Sequence, residues 1–67
     1  MKIFAERLKE LRLEKNISVL QLSKELKVSD TTVGRWEKAT IIPNIEHLRN
    51  IAVYFGVTTD YLVGLED

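Results

Sequence analysis

An all-α fold of five short helices is what this 67-residue sequence predicts. Three observations carry that expectation. Apolar residues recur at the three- and four-residue spacing of a helix face along most of the chain. Ser18, Ser29, Asn44 and Thr58 stand just ahead of such runs, where a side-chain oxygen can accept from a free amide of the first turn. Asn16 and Gly56 stand just behind two of them, and both residue types tolerate the left-handed turn that ends a helix. The length suits one domain over residues 1–67, burying roughly 60% of its unfolded surface.

In chain order, Phe4, Leu8 and Leu11, with Ala5 beside them, give the first helix one apolar face from about Ile3 to Glu14. Lys2, Glu6, Lys9 and Glu10 fall on its solvated side. Ser18 caps a second helix, Val19 to Leu26, whose buried side is Val19, Leu22, Ser23 and Leu26. Small Ser23 lets another helix come close, and Leu20 points outward. Lys27, Val28 and Ser29 turn the chain into a third helix ending at Lys38. Ala39 to Asn44 is irregular, with Pro43 blocking helix. Asn44 then caps a fourth helix with Ile45, Leu48, Ile51, Ala52 and Phe55 facing inward and Gly56 as its stop. His47, the single histidine, is expected on its surface. Thr58 caps a last helix from Thr59 to about Val63, where Tyr61 and Leu62 close the core. Val63 and Leu65 are left spare, and Tyr54 lies off the core side of the fourth helix.

The third helix, SDTTVGRWEK from Ser29 to Lys38, is the informative one. Ser29 is its expected N-cap, and Asp30 places negative charge at its positive end. At 100° per residue Val33, Trp36 and Glu37 share one face, while Thr31, Gly34, Arg35 and Lys38 share the other. An apolar anchor thus backs a surface of small residues that ends in two cations. Such a surface suits the major groove of DNA, which admits a helix and in which one Arg can bond two acceptors on a guanine edge.

Net charge is zero but polarised. Residues 1–40 hold nine Lys or Arg against six Asp or Glu, and residues 41–67 hold one (Arg49) against four (Glu46, Asp60, Glu66, Asp67), so +3 is followed by −3. A basic half beside an acidic half favours an oriented approach to phosphate. No cysteine is available for a disulfide or thiolate site, and a lone His47 makes no metal site. No apolar run reaches the ~18 residues of a membrane span and no signal peptide precedes the domain, so a cytoplasmic protein is expected. There is no phosphate-cradling glycine loop, no paired histidine and no nucleophile with a histidine base, so neither an enzyme nor a cofactor or small-molecule site is indicated.

Two short helices joined by a tight turn with an apolar residue inside it form a helix-turn-helix, here spanning about residues 18–38. The stretch ISVLQLSKELKVSDTTVGRWEKATIIPNIEHLRNIAVYFGVTTDYL resembles the lambda-repressor-like, Cro-type helix-turn-helix family. The resemblance covers about Phe4 to Leu62. It is carried by Leu22-Ser23 with Leu26, Val28-Ser29, Val33 with Arg35-Trp36-Glu37, then Pro43, Phe55-Gly56-Val57 and Asp60-Tyr61-Leu62. It implies five helices, DNA binding by the second and third, a buried ion pair between Arg12 and Glu37, and a dimer contact at the fifth helix. This sequence departs from the family's pattern at four places. Lys27 replaces the usual turn glycine, and Val19 replaces a phosphate-holding glutamine. Lys38-Ala39 stands for Asn-Gly, and Asp30 sits where many members carry a polar or basic contact.

Together these readings lead to a sequence-specific duplex-DNA-binding transcriptional regulator, a repressor acting as a homodimer on a palindromic operator. Asp30, Thr31 and Arg35 are its expected base readers. Lys27, Ser29, Thr32, Gly34 and Lys38 are expected at the backbone or at points of close approach. Tyr54, Tyr61, Val63 and Leu65 are the expected dimer surface. A protein-interaction module on the same fold, such as an antitoxin or anti-repressor partner, is the competing class.

Overall fold

The computed structural model describes residues 2–67, which form five helices in chain order. They are α1 (Lys2–Glu14), α2 (Val19–Glu25), α3 (Thr32–Glu37), α4 (Ile45–Phe55) and α5 (Thr59–Val63). Helix α1 packs on α3 and α5, α2 on α3, and α4 on α5, within 28 × 23 × 19 Å. One apolar cluster sits at their junction: Phe4, Leu8, Leu22, Val33, Trp36, Ile51, Ala52 and Leu62. Every helix contributes at least one of these residues, so no helix packs without the others. Burying a Leu, Val or Phe side chain is worth about 1.5–3 kcal/mol, and the helices are too short to persist alone. Ser23 is fully buried, and its hydroxyl is satisfied by donating to the Val19 carbonyl at 2.9 Å.

Three helices begin with a side-chain cap. Ser18 Oγ accepts from the Gln21 amide at 3.0 Å, Asn44 Oδ1 from His47 at 2.8 Å, and Thr58 Oγ1 from Tyr61 at 3.0 Å. All five helices end in one and the same turn. In each, a left-handed residue donates its amide three residues back, and the next residue donates five residues back. The left-handed residues are Asn16, Lys27, Ala39, Gly56 and Gly64, and the five-residue bonds are Ile17 to Arg12, Val28 to Ser23, Thr40 to Arg35, Val57 to Ala52 and Leu65 to Asp60. Only two of the five are glycine. The φ values of 61° at Asn16, 61° at Lys27 and 59° at Ala39 bring each Cβ close to a carbonyl oxygen, which costs an L-residue about 1–2 kcal/mol, least for Asn.

Several expectations are corrected. Ile45 is 85% exposed rather than inward: it is the first residue of α4, and the first turn packs through His47 and Leu48 instead. Tyr54 is half-buried against the core, edge-on to Phe55 with ring centroids 5.0 Å apart, and Lys15 Nζ lies 4.6 Å from its centroid. His47 is half-buried too, its ring 5.5 Å from that of Trp36. Position within the periodic pattern does not reveal either aromatic contact, because the partner comes from another segment or from the adjacent residue.

The C-terminal segment is held to α1 by Arg7. Its Nη1 donates to the carbonyl of Tyr61 and, at 2.6 Å, to that of Glu66. Its guanidinium carbon lies 4.3 Å from the Tyr61 ring centroid. The Thr58 hydroxyl donates to the Glu66 carboxylate.

Candidate nucleic-acid interface

Helix α3 is anchored from behind. Val33 and Trp36 are buried, at 0% and 2% exposure, while Arg35 and the flanking Thr31 and Lys38 are exposed. The anchor is reinforced by Glu37. Arg12 Nε donates to Glu37 Oε2 at 2.7 Å and Nη2 to Oε1 at 3.1 Å, a two-pronged pair across α1 and α3. Arg12 Nη1 also donates to the Ile17 carbonyl at 2.9 Å. The two side chains are only 11% and 8% exposed, so neither charge has water as an adequate substitute partner. Hydrogen bonding from Glu37 holds the Arg12 guanidinium above its ordinary pKa, against the opposing effect of burial.

The head of α3 differs from the sequence reading. Ser29 is not the N-cap: the helix starts at Thr32, and Ser29 and Asp30 lie in the turn before it. The Ser29 carbonyl accepts from the Thr32 amide at 3.0 Å, and the two hydroxyls share a hydrogen bond of 2.6 Å. The residue at the cap position, Thr31, has helical backbone angles (φ −92°, ψ −13°), which turn its hydroxyl away from the amides a cap would serve. Asp30 therefore stands ahead of the first turn rather than in it.

The other expected residues divide. Ser29, Asp30, Thr31, Thr32, Arg35 and Lys38 all belong to the α3 segment, with Thr32 half-buried and the rest exposed. At Gly34 an added Cβ would meet nothing nearer than Val19 Cγ1 at 3.9 Å, so packing within the protein does not demand glycine there. Lys27 is set apart. It lines an open groove of about 300 Å³ with Glu25, Leu26, Asn50, Val53 and Tyr54, toward α4. Of the four expected dimer residues, Tyr54, Tyr61 and Val63 are half-buried and Leu65 is 75% exposed. Sequence reasoning passed over Ile41 and Ile42, which are 41% and 61% exposed in the loop after α3, because an irregular segment has no periodicity to sort its faces.

The helix-turn-helix family profile matches residues 8–62, which includes α2, the turn and α3. This chain belongs to the Cro/C1-type helix-turn-helix family. Members of that family are DNA-binding transcription regulators. A crystal structure of the P22 c2 repressor protein in complex with a synthetic operator has the same fold, with a TM-score of 0.85 and 27% identity over 92% of this chain and 94% of that one. Among curated proteins, the helix-turn-helix chain is 41% identical over 64 residues to the HTH-type transcriptional activator BcrR of Enterococcus faecalis, and 26% identical over 65 residues to the uncharacterized HTH-type transcriptional regulator YobD of Bacillus subtilis (strain 168). The alignments cover 96% and 97% of this chain but only 31% and 58% of those relatives. Among the described residues, no helix is long and apolar enough to cross a membrane.

Proposed function

We propose that residues 1–67 act as one sequence-specific duplex-DNA-binding unit of a cytoplasmic transcriptional regulator, working as a homodimer on a palindromic operator. The observation that carries this reading is the division of α3, with Val33 and Trp36 buried behind and Thr31, Arg35 and Lys38 exposed in front. The likeness to a repressor seen on operator DNA supports it. In this mode α3 enters the major groove. Arg35 reads a guanine edge, while Thr31 and Asp30 offer a hydroxyl and a carboxylate to neighbouring bases. Lys38 and the hydroxyls of Ser29 and Thr32 hold phosphates, and Gly34 leaves room for the backbone to approach.

The arithmetic of recognition supports two copies. A good bidentate contact discriminates by about 1–3 kcal/mol, and one short helix offers few of them against roughly 10⁶ or more competing sites. A two-fold axis places two recognition helices about 34 Å apart in successive major grooves. Repression by occlusion of polymerase is the action that the family resemblance implies, and no single residue carries it.

Selection of binding sites from random duplexes tests the reading, followed by titration of the selected site with salt. A palindromic consensus whose affinity falls steeply with salt is expected, because phosphate contacts release counterions. Failure to enrich any sequence, or salt-insensitive binding, overturns it.

A further inference from the structure

We infer that Val19 is a specificity-determining residue: its γ-methyl takes the C5-methyl of one thymine on the major-groove edge of the bound duplex. The inference rests on the DNA-binding reading above and adds a residue of α2 to the α3 face. Successive residues of a helix are about 100° apart. Thr31 and Lys38 therefore point away from the Val33–Trp36 anchor, and Gly34 and Arg35 flank them on opposite sides. The Gly34 flank is the one beside α2: a Cβ there would lie 3.9 Å from Val19 Cγ1, its nearest neighbour from outside the helix. Val19 and Gly34 are both half-buried, so the Val19 methyl walls a shallow apolar notch whose floor is the bare Gly34 backbone. Val19 is also held in place. It is the first residue of α2, its carbonyl accepts from the Ser23 hydroxyl at 2.9 Å, and its inner side packs against the core. A β-branched side chain has one strongly preferred rotamer in a helix, so the methyl is presented with little freedom left to lose on binding.

The occupant follows from the chemistry of base edges. In the major groove adenine, guanine and cytosine offer hydrogen-bond donors and acceptors, and thymine alone adds an apolar group, its C5-methyl. The Val19 side chain has no polar atom, so it gains nothing from the donors and acceptors and buries apolar surface against the methyl. That methyl is also the base-edge group nearest its own strand's backbone. A strand that comes close at Gly34 therefore sets its thymine methyl against Val19. Arg35 lies on the opposite flank of α3, so the two residues read different base pairs, one by hydrogen bonds and the other by apolar contact.

The test takes the selected half-site and replaces its thymines by deoxyuridine one at a time, which removes the methyl and keeps every hydrogen-bonding group. Burial of one methyl is worth about fourfold in affinity. The unmodified chain loses that factor at one thymine, at a base pair other than the one relaxed by Arg35→Ala. At the same position it binds a 5-methylcytosine pair more tightly than a cytosine pair by a similar factor. In Val19→Ala both ratios shrink to less than about 1.5-fold, because the methyl no longer meets a partner. Val19→Thr keeps the shape and exchanges one methyl for a hydroxyl. It gives intermediate ratios and carries the comparison should Val19→Ala fail to fold. Each ratio is taken within one variant, so a general change of stability cancels. A uracil penalty that is the same in all three chains, or no penalty at any thymine, overturns the role of Val19. Failure to enrich any sequence overturns the DNA-binding reading itself, and this inference with it.

Discussion

Arg12 grips both carboxylate oxygens of Glu37, at 2.7 and 3.1 Å, and so joins the end of α1 to the end of α3. The pair works as a lever. Glu37 follows Trp36 directly, so the pair fixes the end of the helix whose Val33 and Trp36 lie in the core.

Arg12→Ala is expected to destabilise the fold by about 3–5 kcal/mol, because it leaves a buried carboxylate unpaired and the Ile17 carbonyl without its donor. That is a large fraction of the total for a domain this small, about 3–10 kcal/mol. Replacing both partners by well-packed apolar residues should cost far less. Thermal melting of the single and double variants decides the matter, and a near-neutral Arg12→Ala contradicts the lever. The sign with pH follows from the raised Arg12 pKa. A raised folded-state pKa contributes stability that is complete below the unfolded value and is lost only as pH rises through the folded one. The contribution of Arg12 is therefore constant from neutral to moderately alkaline solution.

Arg35→Ala should lose about 1–3 kcal/mol of specific binding and relax preference at one base pair, as the loss of a base reader does. Affinities on a set of single-base operator variants measure both effects. An equal loss on every sequence would move Arg35 to the phosphate-contacting group.

Gly34→Ala separates folding from binding. Glycine inside a helix costs about 0.5–1 kcal/mol relative to alanine, and the added methyl finds ordinary contact distance from Val19. The variant should melt at a higher temperature and bind operator more weakly, because the methyl occupies space needed by the DNA backbone. Higher stability with unchanged affinity would show that no close approach occurs at Gly34.

Ala39→Gly is expected to stabilise the fold by about 1 kcal/mol by relieving the left-handed alanine after α3, less the entropy that glycine adds to the unfolded chain. Lys27→Gly should act in the same direction. Lys27 is exposed in the turn between α2 and α3, so its replacement should also reduce the salt slope of operator binding by about one if it holds a phosphate. Denaturant melts give the first quantity and salt titrations the second. An unchanged salt slope would remove Lys27 from the expected phosphate contacts.

What could be read from the sequence was what is local. Ser18, Asn44 and Thr58 cap amides three residues away, so residue type and spacing were enough to find them. The five helices and their inward residues Phe4, Leu8, Leu22, Val33, Trp36, Ile51 and Leu62 were equally legible from periodicity. Ser29 misled because a serine before an apolar run is also what a hydroxyl-bonded turn looks like, and only backbone angles tell the two apart. Ile45 misled because periodicity does not tell which residues of a first turn make the contact, here His47 and Leu48. Glu37 announced a need for a partner, but nothing in the spacing named Arg12, 25 residues away, apart from the family resemblance. Arg7 gave no signal at all, since its acceptors are backbone carbonyls 54 and 59 residues distant.

The five repeated helix-ending turns bear on how this domain resists proteolysis. Each stop is made by bonds reaching back no more than five residues, and α2 with α3 and α4 with α5 pack as sequence neighbours. Helical chains rich in such local contacts fold within microseconds to milliseconds. Where reclosing outpaces cleavage by a protease, degradation follows the equilibrium fraction unfolded rather than the rate of unfolding. The non-glycine residues at Lys27 and Ala39 keep that fraction higher than it need be. They leave the folded fraction of this domain sensitive to single substitutions at its helix ends.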